Sequence, residues 1–172
     1  MHKYAIKFIL VSLITLLFVS CGYKPSSKFS REVIGEKIST SIVISSQDPE
    51  NTVIIKDAVD QAIIEVFHAS ITKRSYSDTH LEIKVDNPVY TPIVYNENGF
   101  VVGYIMNITL NITRYHNGIS KKYKSSGSFD FVVQPNAVVS DQERFEAIKY
   151  SAHKAVLSFI AQVSADGARS KK

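Results

Sequence analysis

The clearest pattern of hydrophobic and polar positions lies in residues 100–133, around the dipeptide Asn117-Gly118. This dipeptide is the preferred two-residue loop of a β-hairpin, because both of its positions favour positive φ. If the loop sets the register, the numbers of facing residues sum to 235, and the hairpin has one apolar and one polar face. A slip by one residue would exchange the faces, so turn and side-chain pattern independently predict the same register. On the first strand, the polar face consists of Asn107, Thr109, Asn111 and Thr113.

Two more strands are predicted before the hairpin. Residues 39–45 form a short β-branched run, and residues 80–86 alternate strictly between apolar and polar side chains. Such alternation is typical of a strand with one buried face. We expect Pro88 and Pro92 to limit the continuation of the second strand, since proline cannot donate a backbone hydrogen bond.

Two amphipathic helices are predicted from 3.6-residue periodicity. The first begins at Pro49, because proline is favoured at the first helical position, and we expect it to end near Lys73. The second begins at the pair Ser140 and Glu143, which have the spacing of a capping box.

The predicted order is therefore strand, helix, strand, strand, strand, helix. Two amphipathic helices and a sheet with a single apolar face have one economical arrangement, in which both helices cover that face. We predict an α+β fold, a two-layer sandwich with a mainly antiparallel four-stranded sheet and two helices on one face. The single domain is expected to span residues 39–166, followed by a flexible basic tail at 167–172. The polar face of the sheet would stay open to a partner.

The N-terminal segment has the pattern of a targeting signal. Residues 1–20 combine two lysines with an apolar run too short to span a bilayer comfortably, as in a signal peptide. The run ends at Cys21, and Leu17-Phe18-Val19-Ser20-Cys21 resembles the lipobox of bacterial lipoproteins, in which the cysteine is acylated. The alternative is that Cys21 is an ordinary residue near a cleavage site. If Cys21 is acylated, residues 21–38 form a lipid-anchored tether.

Composition and charge exclude several classes of protein. A hydrophobic content of 45% with 21% charged residues is ordinary for a globular domain. The net charge of +4 falls to +2 once Lys3 and Lys7 of the signal are removed. That balance is too even for a protein that neutralises many phosphates, so no nucleic-acid partner is predicted.

The sequence contains no recognisable catalytic motif. The five histidines are scattered without the spacing of a metal site, and the single cysteine is assigned to acylation. Neither a phosphate-binding glycine loop nor a nucleophile motif is present. We therefore predict no enzymatic activity, no metal and no cofactor.

A basic cluster surrounds the predicted hairpin tip. It consists of Arg114, Lys121, Lys122 and Lys124, and no acidic residue lies between positions 98 and 129. In the predicted register Arg114 faces Lys121, and facing like charges destabilise a strand pair. One interpretation is a solvated tip whose lysines discourage edge aggregation. The other is an anion site for the phosphate groups of a glycolipid such as lipopolysaccharide.

The segment Cys21-Gly22-Tyr23-Lys24-Pro25, together with the predicted order of elements, resembles the LPS-assembly lipoprotein family (LptE-like). This resemblance implies a lipoprotein on the periplasmic face of the outer membrane of a Gram-negative bacterium. It implies further that the protein partners and plugs an outer-membrane β-barrel of the LptD type and helps to assemble lipopolysaccharide. The basic cluster would then contact lipopolysaccharide phosphates.

Two other functions remain open from the sequence. The chain could be a lipoprotein subunit of another envelope system, such as the auxiliary component of an ABC-type lipid transporter. A periplasmic hydrolase is the least supported, because no group of acid, base and nucleophile is visible.

Overall fold

The computed structural model describes residues 33–43, 49–86, 88–134 and 138–169, without the side chains of 49–52. The predicted signal peptide, Cys21 and most of the tether lie outside these residues. The elements in chain order are β1 (Lys37–Val43), α1 (Pro49–Phe67), β2 (Ser70–Ile71), a 3-10 helix (Arg74–Tyr76), β3 (Thr79–Val85), β4 (Val89–Tyr95), β5 (Val101–His116), β6 (Ile119–Val132) and α2 (Asp141–Arg169).

All six strands form one mixed sheet around the long strand β5. Strand β6 pairs with β5 antiparallel along almost its whole length. On the other side of β5, β3 and β4 lie end to end, β3 against residues 110–116 and β4 against residues 101–107. Strand β1 is parallel to β3, and the two-residue β2 is parallel to β1. The predicted α+β fold is confirmed, and β2 and β4 are additions to the four predicted strands.

Strand β4 forms although it contains a proline. Pro92 lies opposite Tyr104 of β5, and the pairing becomes irregular directly after it. Because β4 is at the edge of the sheet, the missing backbone N–H removes no hydrogen bond to a further strand. Strand β3 therefore ends before Pro88, as predicted, but the chain continues in the same sheet as β4, which contains Pro92.

The predicted hairpin register is confirmed along its length. Asn117 and Gly118 have φ angles of 50° and 75°, as their loop type requires. From His116 opposite Ile119 to Gly103 opposite Val132, the numbers of facing residues sum to 235. Loop chemistry and side-chain alternation thus determine the same pairing.

The predicted helix starts are confirmed, and the predicted end of α1 is wrong. Helix α1 begins at Pro49 but ends at Phe67, because His68 adopts a left-handed φ of 50° that breaks the helix. At the start of α2, the Ser140 N–H donates to Glu143 Oε2 at 2.8 Å and the Glu143 N–H donates to Ser140 Oγ at 3.2 Å. This reciprocal pair is the predicted capping box.

Both helices cover the same face of the sheet. The core includes the inward side chains of β5, Met106, Ile108, Leu110 and Ile112, none of which is more than 2% exposed. Helix α2 lies close to β6 at Gly127, where an added Cβ would lie 2.2 Å from the carbonyl oxygen of Ser151. Glycine is therefore required there for close contact between helix and sheet.

The structured domain extends a few residues beyond the predicted boundaries at 39 and 166. Ile34 is completely buried in the core, and β1 begins at Lys37. At the other end, α2 continues to Arg169 and Gly167 is buried. The last part of the predicted tether and the first part of the predicted tail thus belong to the fold.

Candidate functional site

The face of the sheet opposite the helices, which we call the bare face, is polar along β5 and β6, whereas Val89 and Val94 of β4 expose apolar side chains at one end of it. The four residues predicted for it are confirmed in that orientation, because they alternate with the buried side chains of β5. Asn107 is exposed and the other three are half-buried. They are Asn107, Thr109, Asn111 and Thr113, and they lie opposite Ser128, Ser126, Lys124 and Lys122 of β6.

Neither α1 nor α2 packs on the bare face, and only at the edge of this face does Arg74 of the 3-10 helix lie over the Tyr115 ring, 5.9 Å from its centroid. Asn111 makes one fixed contact there, donating from Nδ2 to Asp86 Oδ1 at 2.8 Å. A row of amide and hydroxyl groups can exchange water for polar groups of a partner, and the two lysine ammonium groups beside them require acceptors or anions on that partner. The bare face is therefore a candidate docking surface for a polar partner.

The four residues of the predicted basic cluster are divided between the two faces of the sheet. Arg114 and Lys121 lie opposite each other on the helix-covered side, whereas Lys122 and Lys124 lie on the bare face. The division follows from the two-residue period of a strand, which directs successive side chains to opposite faces. Sequence proximity therefore does not bring the four side chains into one site.

On the helix-covered side, an acid from α2 compensates the two facing cations. Asp166 Oδ2 lies 2.6 Å from Lys121 Nζ and accepts a hydrogen bond from Tyr123 Oη at 2.9 Å. Burial opposes ionisation of Asp166, but these two hydrogen bonds lower the pKa of its carboxyl group. The Tyr123 hydroxyl has its pKa raised to about 12, first by burial and then by its hydrogen bond to Asp166. No local sequence pattern could reveal this acid, because it is 45 positions away from Lys121.

Arg114 is the most buried of the four predicted cations. It is 9% exposed, and its Nη1 donates to the backbone oxygen of Val33 at 2.7 Å. Its Nε has no hydrogen-bond partner among the described residues. Together with Val33, Lys121, Asp166 and Arg169, it lines an open cleft of about 430 Å³. Three cations against one carboxylate make this cleft a second candidate anion site.

A buried histidine on the bare face was not singled out by sequence reasoning. His80 is 7% exposed, with Nδ1 2.8 Å from Ser39 Oγ and Nε2 3.3 Å from Ser41 Oγ. Its ring stacks on Tyr115, with the ring centroids 6.0 Å apart. Burial, followed by the positive charge of Arg74, lowers the pKa of His80. Strand alternation places His80 on the polar face, but only the tertiary structure shows that it is covered.

Within the described ranges, no three side chains of His, Cys, Asp or Glu are close enough to hold a metal ion.

Neither α1 nor α2 combines the length and apolar character needed to cross a bilayer.

Comparison with known proteins gives a likeness in fold. No protein-family model matches the chain, and no curated protein matches it in sequence. A solved structure of a candidate lipoprotein from Caulobacter crescentus is similar with a TM-score of 0.52 at 11% identity, covering 83% of this chain and 95% of that one. Rare lipoprotein B from Shewanella oneidensis has a TM-score of 0.48 at 14% identity, covering 78% of this chain and 97% of that one. The chain therefore shares its fold with the Caulobacter protein.

Proposed function

We propose that this protein is a non-enzymatic lipoprotein of the Gram-negative outer membrane that docks into an LptD-type β-barrel and helps to assemble lipopolysaccharide. The observation that carries the proposal is the sheet with one close-packed face and one bare face that is polar along β5 and β6. Attachment to the membrane would use acyl chains on Cys21, which follows the apolar run of a lipobox-like segment.

The bare face suits the interior of a large β-barrel. Barrel interiors are polar, and a partner inserted there must match polar groups rather than apolar ones. On β5 the face offers amides and hydroxyls, and on β6 it offers serines and lysines. Since both helices lie behind the sheet, they would not obstruct its approach to a barrel wall.

Lys122 and Lys124 give the bare face its positive charge. Both are exposed and form no ion pair with any described residue. Ammonium groups on flexible stems are well suited to phosphates, which lipopolysaccharide carries in its lipid A and core. The fold shared with a candidate lipoprotein from Caulobacter crescentus supports the lipoprotein part of the proposal.

Site-specific photocrosslinking in living cells tests the proposal. A photoreactive amino acid at Thr109 probes the bare face, and one at Leu157, which is 42% exposed on α2, is the matched control. We expect Thr109 to capture a large outer-membrane β-barrel and Leu157 not to do so.

Other outcomes would redirect the assignment. Capture of an inner-membrane permease from Thr109 would favour the auxiliary subunit of an ABC-type lipid transporter. Capture of a barrel from Leu157 but not from Thr109 would show that the helices form the docking surface and would contradict the proposed orientation.

A further inference from the structure

Three chain segments meet at the end of the sheet that carries the β5–β6 turn, which we call the hairpin end. The turn itself is joined to the segment before β3, where His116 Nδ1 lies 2.9 Å from the backbone oxygen of Asp78. The last turns of α2 reach the same end, where Asp166 contacts Lys121. The hairpin end is thus a composite surface.

The charge of the hairpin end is strongly positive. Basic residues outnumber acidic ones there, whereas the opposite end, at the β4–β5 turn and the start of α2, carries more acids than bases. Lys73 and Lys122 form no ion pair with a described residue. The basic residues include Lys37, Lys73, Arg74, Arg114, Lys121, Lys122, Lys124 and Arg169, and the acidic ones include Glu36, Asp60, Asp78, Glu82 and Asp166. At the opposite end lie Glu97, Asp130, Asp141, Glu143 and Glu146 with Arg144 and Lys149.

Two large apolar side chains project among these cations. Tyr76 in the 3-10 helix is 69% exposed, and Ile119 directly after the turn is 65% exposed. Water-exposed aromatic and aliphatic side chains flanked by Lys and Arg are characteristic of surfaces that lie in the headgroup region of a membrane.

The chain enters the domain at the same end. Val33 is held there by the hydrogen bond from Arg114, and Asp78 Oδ2 accepts hydrogen bonds from the backbone N–H groups of Glu36 and Lys37 at 3.0 and 2.9 Å. Eleven residues lie between Cys21 and Val33, and the twelve steps from one to the other span at most about 40 Å. An anchor at Cys21 would thus keep the hairpin end, rather than the acidic end, nearest to the bilayer.

From these observations we infer that the hairpin end is a membrane-facing surface that binds anionic lipid headgroups. The exposed cations Lys73 and Lys122 contact headgroup phosphates, and Ile119 and Tyr76 lie at headgroup depth. The inference rests on the proposed function only for the acyl anchor at Cys21. Lipopolysaccharide and a barrel partner are not required.

The orientation can be measured on the full-length protein in vesicles. A fluorophore is attached to a cysteine introduced by Ser120→Cys at the hairpin end or by Asn98→Cys in the β4–β5 turn. The vesicles carry a quencher on their headgroups and consist of phosphatidylcholine with or without phosphatidylglycerol. We expect quenching at residue 120 to be at least about twofold stronger with phosphatidylglycerol and to fall at high salt, with little change at residue 98. Equal quenching at the two sites, or stronger quenching at residue 98, would overturn the inference.

Charge-reversal variants test which residues are responsible. The double variant Lys73→Glu and Lys122→Glu removes two cations without an ion pair, and Lys149→Glu with Lys154→Glu makes the same change in net charge elsewhere. We expect the first pair to abolish the effect of phosphatidylglycerol and the second pair to keep it. If both pairs weaken it equally, net charge alone is responsible and the inference is wrong.

Two further measurements separate the possible failures. Circular dichroism verifies that the variants fold, and Ile119→Ser supplies a second test that leaves the charge unchanged, with a reduction of about half expected in the quenching. Undiminished quenching in Ile119→Ser would contradict the proposed depth. Flotation with vesicles of phosphatidylcholine alone measures membrane attachment through the acyl chains, because these vesicles carry no anionic headgroups. Loss of the anchor is therefore distinguishable from loss of headgroup binding.

Discussion

The two faces of the β5–β6 hairpin differ in how closely they are packed, and we expect them to differ in how well they tolerate substitutions. On the covered face, α2 lies against the backbone at Gly127, and Ser151 donates from Oγ to the backbone oxygen of Met106 at 3.2 Å. On the bare face, one residue before Gly127, Ser126 is exposed. The same backbone thus carries one surface packed closely against a helix and another exposed to solvent. Stability should depend on the first face and binding on the second.

The largest effect on stability is expected at Gly127, where β6 lies directly against the backbone of α2. Gly127→Ala places a methyl group 2.2 Å from the Ser151 carbonyl oxygen and 2.4 Å from the Ala155 nitrogen, so the helix must move away from the sheet. We expect a loss of about 3 kcal/mol in the free energy of unfolding, at the upper end of the usual cost of overpacking. Urea denaturation measures it. Ser126→Ala is the control on the bare face and should change stability by less than about 0.5 kcal/mol. Similar losses in both variants would remove the distinction between the faces.

The next largest effect is expected at Arg114, the buried cation of the covered face. Arg114→Ala removes the hydrogen bond to Val33 and the packing of the aliphatic stem, and we expect a loss of about 2 kcal/mol. Lys122→Ala, an exposed cation nearby on the bare face, should leave the unfolding midpoint almost unchanged. If Arg114→Ala is as stable as the wild type, the hydrogen bond from Arg114 to Val33 contributes little to holding residue 33 in the fold.

A smaller effect, with a distinct pH dependence, is expected at Tyr123. Tyr123→Phe removes the hydrogen bond to Asp166, and we expect a loss of about 1 kcal/mol at neutral pH. Because the pKa of Tyr123 is raised to about 12 in the fold from about 10 in the unfolded chain, the fold favours the neutral hydroxyl. That contribution is complete below pH 10 and is lost as the pH rises from 10 towards 12.

Unfolding of the wild type and of Tyr123→Phe, measured across this alkaline range, tests the assignment. The wild type should lose stability more steeply, so that the difference between the two proteins narrows. A constant difference from pH 8 to 12 would show that Tyr123 is not the group that titrates.

The smallest effect on stability, but a large one on binding, is expected on the bare face. Lys122→Glu combined with Lys124→Glu should change the free energy of unfolding by less than about 0.5 kcal/mol. We expect binding of lipopolysaccharide to weaken about tenfold, which corresponds to about 1.4 kcal/mol. The control is Lys149→Glu with Lys154→Glu. Unchanged binding would move the phosphate site to the cleft at Arg114 on the other side of the sheet.

Prediction from the sequence succeeds where neighbouring residues along the chain determine the outcome. Asn117-Gly118 specifies a turn, and the alternation of Asn107 to Thr113 specifies a face, so the register follows from local chemistry alone. The capping box at Ser140 succeeds for the same reason. The end of α1 is missed because the left-handed backbone at His68 interrupts the chain before residues 69–73, which would otherwise tolerate a helix.

The candidate site was predicted in part. The polar row on the bare face follows from alternation, whereas closeness in sequence wrongly predicts the basic cluster as one group. Strand geometry divides it, and the compensation of Lys121 depends on Asp166, which packing of α2 brings into contact. The position of β4 beside β5 is likewise missed, because an edge strand can accommodate Pro92 where an inner strand could not.

The sequence by itself determined the strand register, the helix starts and the polar or apolar character of each face, because each depends on backbone preferences and periodicity within a few residues. Only the tertiary structure decided which distant groups meet: Asp166 with Lys121, Arg114 with Val33, and α2 with Gly127. Those contacts depend on how two layers close against each other, and the shape of that closure is a property of the whole chain rather than of any one segment.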